Sequence, residues 1–322
     1  MELLDREQEL AALARFLEAN RAGWGEALVL RGEPGVGLTA LLEWTVECAS
    51  ELRVARAAGT SAEKDLAFAA VHRLCMPMLD RLDELPDPQR AALASAFGLG
   101  EGVAPDRLMV GLGLVSLLAQ SEQGEPLIWV IDDAEWLDRG SAEALGFAAR
   151  RVGGQRVGLL IAAHHRGSGR GWLEGIPELR VGELARDAAR ELLRSVVAGP
   201  LDAGVRERLL AEARGIPLAL VELPAQLTPE QLAGLAGLPE PLPVGERLQR
   251  SLLGAATDIP PETRTFLLLA AAGTGGESES RVERRRAPRP VRRGGDAGRG
   301  GRAGVRRRAG RVPSPVDVGG CL

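Results

Sequence analysis

Gly32-Glu33-Pro34-Gly35-Val36-Gly37-Leu38-Thr39 separates the apolar run Ala27-Leu28-Val29-Leu30 from a stretch with helical spacing that begins at Leu38. A short apolar run bounded by turn residues reads as a buried parallel strand. Glycines allow a tight turn whose backbone N–H groups close around an anion. A helix predicted from Leu38 to Glu51 adds its N-terminal dipole at the same spot. The residue types follow G-x-x-x-x-G-K-[ST], a phosphate-cradling loop, with one departure. Leu38 occupies the lysine slot. Thr39 keeps the hydroxyl that ligates Mg2+ in such loops. Without the lysine, an ordinary tight turn explains the pattern equally well.

A second signal comes from further along the chain. Leu127-Ile128-Trp129-Val130-Ile131 is a strongly apolar strand that ends in Asp132-Asp133. A carboxylate at such a strand end, Asp132, can hold Mg2+ through water. Asp133 can orient or deprotonate a water for attack on a terminal phosphate, and Glu135 is a weaker candidate for that role. A solvated acidic turn is the alternative. Arg166, just past the apolar run Val157–Ala162, is placed to sense a terminal phosphate or else is an ordinary surface arginine. His164 and His165 have no Cys or acidic ligand at metal-binding sequence spacing, so they read as structural. Trp129 and Trp136 read as packing around the Asp-bearing strand.

The remaining pattern fits an α/β sheet covered on both faces. Asp5 to Ala22 has helical spacing through Leu10, Leu13, Phe16 and Leu17, with Asp5 as its N-cap. Leu52–Ala58 suits a second strand, although Arg53 and Arg56 weaken it. Helices are predicted around Phe68–Leu82, Pro88–Phe97, Asp106–Gln120 and Ser141–Val152. Leu179–Val181 suits a short last strand. From about Leu184 the pattern is helical throughout: Ala185–Val197, Asp202–Arg214, Pro217–Leu227, Pro229–Leu235, Val244–Ala255 and Pro261–Ala272. The expected division is therefore 1–183 as the α/β domain, 184–274 as a helical lid or winged-helix-like subdomain, and 275–322 as a tail.

Composition supports a globular body: 45 % of the 322 residues are hydrophobic and 26 % charged. Neither a membrane-spanning run nor a signal peptide is evident, and the three Cys lack metal spacing, so a reducing cytoplasm is the expected compartment. Lys64 is the only lysine. From Gly275 onward there are thirteen Arg against five acids, so a body of net −12 carries a tail of net +8. That tail is too poor in Leu, Ile and Phe to offset ordering entropy and reads as disordered.

Leu28–Gly37, Val130–Asp138 and Gly215-Ile216-Pro217-Leu218-Ala219-Leu220-Val221-Glu222-Leu223-Pro224 together resemble the N-terminal ATPase module of large bacterial LuxR-family (MalT-like) transcriptional regulators, in the STAND branch of the AAA-related NTPases. Leu4-Asp5-Arg6-Glu7 resembles the motif that this family places beside adenine, with Asp5 where glycine is usual. Leu242–Leu248 and Phe266–Ala272 also resemble family segments, and the match spans roughly Leu4 to Thr274. The resemblance implies an ASCE/AAA-like P-loop fold of about five strands in the order 5-1-4-3-2. It also implies ATP/ADP and Mg2+ as cofactors. The ligand residues would be Gly32, Glu33, Pro34, Gly35, Val36, Gly37, Leu38, Thr39 and Ala40, with Arg6 and Pro217 near the base. Thr39 and Asp132 would hold the metal, and Asp133, Glu135 and Arg166 would serve catalysis. The family switches between an ADP-bound resting state and an ATP-bound, self-associating one.

Two departures shape the expectation. Leu38 removes a charge-assisted bond worth about 1.5–3 kcal/mol, so nucleotide binding is expected to be weak and hydrolysis little or absent. A competent ATPase that tolerates Leu38 and a non-functional truncated scaffold are the alternatives. Past Thr274 nothing has helix-turn-helix periodicity, so no DNA-reading domain is expected in this chain. The Arg/Gly/Pro text there reads as GC-rich DNA translated out of frame; the rival reading is a basic arm for phosphate backbones.

Overall fold

The computed structural model describes residues 3–100, 104–120, 126–164 and 170–249. All of these lie in one compact unit, Met1–Ala270. The predicted helix Pro261–Ala272, the tail from Gly275, His165 and Arg166 lie outside the described residues. The predicted helix Val244–Ala255 passes out of them after one turn, which begins at Glu246.

Five parallel strands carry the fold: β1 (Ala27–Gly32), β2 (Arg53–Ala58), β3 (Leu127–Asp132), β4 (Val157–His164) and β5 (Glu178–Val181). They lie side by side in the order β2-β3-β4-β1-β5, the arrangement implied by the family resemblance. The apolar central strands β1, β3 and β4 are buried nearly end to end, as strands covered on both faces must be. The polar edge strands β2 and β5 are partly exposed. Strand β2 forms despite its arginines because pairing with β3 satisfies its backbone while Arg56 turns outward to Glu43 at 2.7 Å.

Helices cover both faces. One face carries α1 (Glu7–Arg21) and α2 (Leu38–Cys48), which bury Leu13, Phe16, Leu17, Leu41 and Leu42 against Leu28, Leu30, Ile128, Val130 and Leu160. Each such side chain contributes about 1.5–3 kcal/mol. The other face carries α3 (Ala69–Cys75), α4 (Asp87–Ala96), α5 (Arg107–Gln120) and α6 (Arg139–Ala149), packed on Val29, Trp129, Ile131, Leu159 and Ile161. Helix α3 stops earlier than the spacing predicts and continues as a 3-10 helix, Met76–Glu84, because Pro77 has no N–H for the α ladder. Helix α2 ends at Cys48 instead of Glu51.

Among the described residues, β5 is followed by α7 (Arg186–Val196), α8 (Ala203–Ala213), α9 (Pro217–Ala225) and α10 (Pro229–Leu232). They enclose their own core of Leu193, Leu209, Leu220 and Leu223. The N-cap expectation for Asp5 is corrected by the structure. Arg6 is the N-cap of α1, without a side-chain bond, and Asp5 has φ 57. The Asp5 carboxylate instead accepts from the Ala185 N–H at 2.7 Å, so it ties the start of the chain to the start of α7.

Candidate functional site

The C-terminal ends of β1, β3 and β4 lie together, because these strands are neighbours in the sheet and all run the same way. From the end of β1 the chain turns through Gly35 (φ 81) and Gly37 (φ 105), values that favour glycine, and enters α2 directly. No side chain caps α2, so its first-turn N–H groups are left for an outside acceptor. At Gly32 an added Cβ would lie 2.5 Å from Val36 Cγ1, so the loop closes tightly on the strand that launches it.

The two residues after the loop point in opposite directions. Leu38 is 5 % exposed, and its side chain joins Leu30, Val36 and Leu41 beneath the loop. Thr39 is exposed, and its hydroxyl donates to Asp132 Oδ2 at 2.8 Å. This bond spans 93 positions of sequence and joins the glycine loop to the end of β3. Two hard oxygens on one point suit a small hard cation such as Mg2+. Asp132 Oδ1 also accepts from the Asp133 N–H at 2.9 Å, which fixes the carboxylate.

Asp133 is in the left-handed region, φ 49, at the turn after β3. Burial, then the charges of Asp132 and Glu135, push its carboxyl up to about 6, and His164 only partly counters them. That places its titration near neutrality, where a proton acceptor for water is useful. Glu135 sits two residues later, in the 3-10 helix Ala134–Trp136. His164, the last residue of β4, contacts Glu135 Oε1 through Nδ1, and its backbone N–H donates to Oε2 at 3.4 Å. Burial alone would raise Glu135, but the His164 hydrogen bond and charge outweigh it and hold the carboxyl below its ordinary range. Burial would likewise lower His164, and Glu135, Asp133 and Asp132 overcome that and raise it.

Sequence reasoning left His164 out of the site. Its signal was a histidine at the C-terminal end of an apolar strand, the end where open α/β sheets place ligands. Arg166 falls outside the described residues. Arg31 does not stand in for the missing lysine: its guanidinium turns back to Glu178 at 2.8 Å, beside the level of Val29. Asp138, next to the acidic turn, is structural. It caps α6 by accepting from Ser141 N and holds α3 by accepting from Phe68 N.

Arg6 is 6 % exposed and braces the loop from below. One of its nitrogens donates to Val36 O at 3.1 Å and to Gly182 O at 2.8 Å. Pro217 opens α9, where its missing N–H costs nothing. The next residue reaches the loop: the Leu218 N–H donates to Gly35 O at 3.1 Å. The helical segment therefore rests on the glycine loop.

A parallel sheet in this order, with a glycine loop between β1 and α2 and paired aspartates at the end of β3, defines the AAA-like class of P-loop NTPase folds. Residues 2–161 match the AAA ATPase domain family. No curated protein sequence matches the chain. Among solved structures, the chain is similar to the Walker-type ATPase of Pyrococcus abyssi, at 17 % identity and TM-score 0.45, covering 84 % of this chain and 75 % of that one. It is also similar to a RuvB mutant of Thermotoga maritima, at 14 % identity and TM-score 0.44, covering 85 % and 80 %. A third is a chain of the Drosophila ORC bound to DNA, at 13 % identity and TM-score 0.44, covering 85 % and 68 %.

Proposed function

We propose that this chain is the nucleotide-binding module of a signal-responsive, LuxR-family transcriptional regulator of the STAND type, and that it binds ATP or ADP with Mg2+ weakly and hydrolyses little. The observation that carries the reading is the Thr39–Asp132 bond beside a buried Leu38. The cradle and its hard oxygen pair are built, while the main positive charge is absent. The backbone from Gly32 to Ala40 holds phosphates, Thr39 and Asp132 hold the metal, and Mg2+ when bound draws charge from the phosphate oxygens. Arg6 and Pro217 stand at the base end. Residues 184–274 serve as the lid, which the Leu218–Gly35 contact couples to the loop. Asp133 and Glu135, with Arg166, form the remnant of the hydrolytic set.

One observation favours a competent ATPase instead: Asp133, titrating near 6, is poised to take a proton from water. Calorimetric titration with MgATP and MgADP, alongside phosphate release, separates the two readings. Affinity weaker than micromolar with turnover at background supports the binding module. Micromolar affinity with steady turnover replaces it with the ATPase, and no nucleotide binding at all removes both.

A further inference from the structure

We infer that Asp133, Glu135 and His164 form a site for a divalent transition-metal ion, such as Zn2+ or Mn2+, distinct from the Thr39–Asp132 oxygens. One oxygen from each carboxylate and one ring nitrogen of His164 lie within 4.8 Å of one another. With bonds of about 2.1 Å, two ligands of one tetrahedral ion stand about 3.4 Å apart. A spacing of 4.8 Å therefore closes by about 1.4 Å, within the reach of side-chain rotation. The three residues are partly buried and come from two adjacent strand ends, β3 and β4, which hold them in place.

The ligand chemistry selects the ion. Mg2+ and Ca2+ take oxygen ligands, whereas an imidazole with carboxylates suits Zn2+, Mn2+ and their neighbours. Three protein ligands leave a coordination position open, as catalytic sites do and closed structural sites do not. Charge points the same way. Asp132, Asp133 and Glu135 gather three carboxylates at one strand end, and among the described residues no Lys or Arg pairs with any of them. Among the described residues, His164 is the one basic side chain that meets this cluster. A dication offsets the charge of those carboxylates at the strand end. Metal binding itself does not depend on nucleotide.

The test uses the full chain, stripped of metal and nucleotide, titrated with Co2+ as a visible probe and then with Zn2+ by calorimetry, in excess Mg2+. The expected result is one Co2+ per chain, displaced by Zn2+ but not by Mg2+. Zn2+ affinity falls by more than about tenfold in both His164→Gln and Asp133→Asn. It is unchanged in His72→Gln, whose ring lies in α3 against Phe97, the residue that follows α4. Circular dichroism reports the fold of each variant, and Asp133→Asn carries the test where His164→Gln does not fold. No Co2+ binding, equal affinity in folded His164→Gln and Asp133→Asn, or displacement by Mg2+ each overturns the inference and leaves His164 as the counter-ion of Glu135. Zn2+ binding without nucleotide binding keeps this site and removes the nucleotide reading; the reverse does the opposite.

Discussion

Leu38→Lys restores the missing charge, and its effect can be sized from the structure. A lysine-to-phosphate bond contributes about 1.5–3 kcal/mol, or roughly ten- to hundredfold in affinity. The gain falls toward the lower end here, because position 38 is 5 % exposed among Leu30, Val36 and Leu41. A lysine stem can cover that apolar surface only by bringing its ammonium up through the loop. Losing the leucine also costs the apo protein up to about 1.5–3 kcal/mol of stability. The expected outcome is therefore about tenfold tighter MgATP, with a lower Tm in the apo state that MgATP offsets. Calorimetry and thermal denaturation of wild type, Leu38→Lys and the volume-conserving control Leu38→Met measure both parts. If folded Leu38→Lys binds MgATP no better than Leu38→Met, the loop is not a phosphate cradle and the reasoning from its glycines is wrong.

Thr39→Val removes the hydroxyl that donates to Asp132, a bond worth about 0.5–1.5 kcal/mol, and should abolish the advantage of Mg2+ over EDTA in ATP titrations. Asp133→Asn should stabilise the protein at about pH 8 by about 1–3 kcal/mol and change little at about pH 4. The folded Asp133 holds its proton up to about 6 whereas the unfolded one releases it earlier, so its ionisation costs stability as pH rises between those values; urea denaturation at the two pH values shows it. Gly35→Ala should destabilise by about 1–3 kcal/mol, since φ is 81 and the new methyl meets Leu218 Cβ at 3.0 Å and Ile216 Cγ2 at 3.1 Å. Limited proteolysis should then cut within α7 to α9 faster than in wild type, and an unchanged pattern would show that the Leu218 contact does not hold the helical segment on the loop.

The β1–loop–α2 unit and the aspartates closing β3 were legible because they are local: apolar runs, glycines and a strand end sit within a few residues of each other. The order of the strands came through resemblance, and the sheet has that order. Boundaries slipped where a single backbone group decides, as at Pro77, where the α ladder fails and a 3-10 helix takes over. Asp5 looked like an N-cap by position, yet its carboxylate finds the Ala185 N–H, 180 positions away.

The sequence alone determined that a glycine-rich turn links an apolar strand to α2, that Leu38 fills the lysine slot of its pattern, and that two carboxylates end a buried strand. These are properties of neighbouring residues, set by glycine freedom and by apolar periodicity. Only the tertiary structure decided that Leu38 turns inward while Thr39 meets Asp132, that Arg6 braces the loop through Val36 O, and that His164 meets Glu135 across 29 positions. Those facts depend on which strands lie side by side and which face each side chain takes. The parallel pairing of β3 with β4 and β4 with β1 sets both, and no local pattern encodes it.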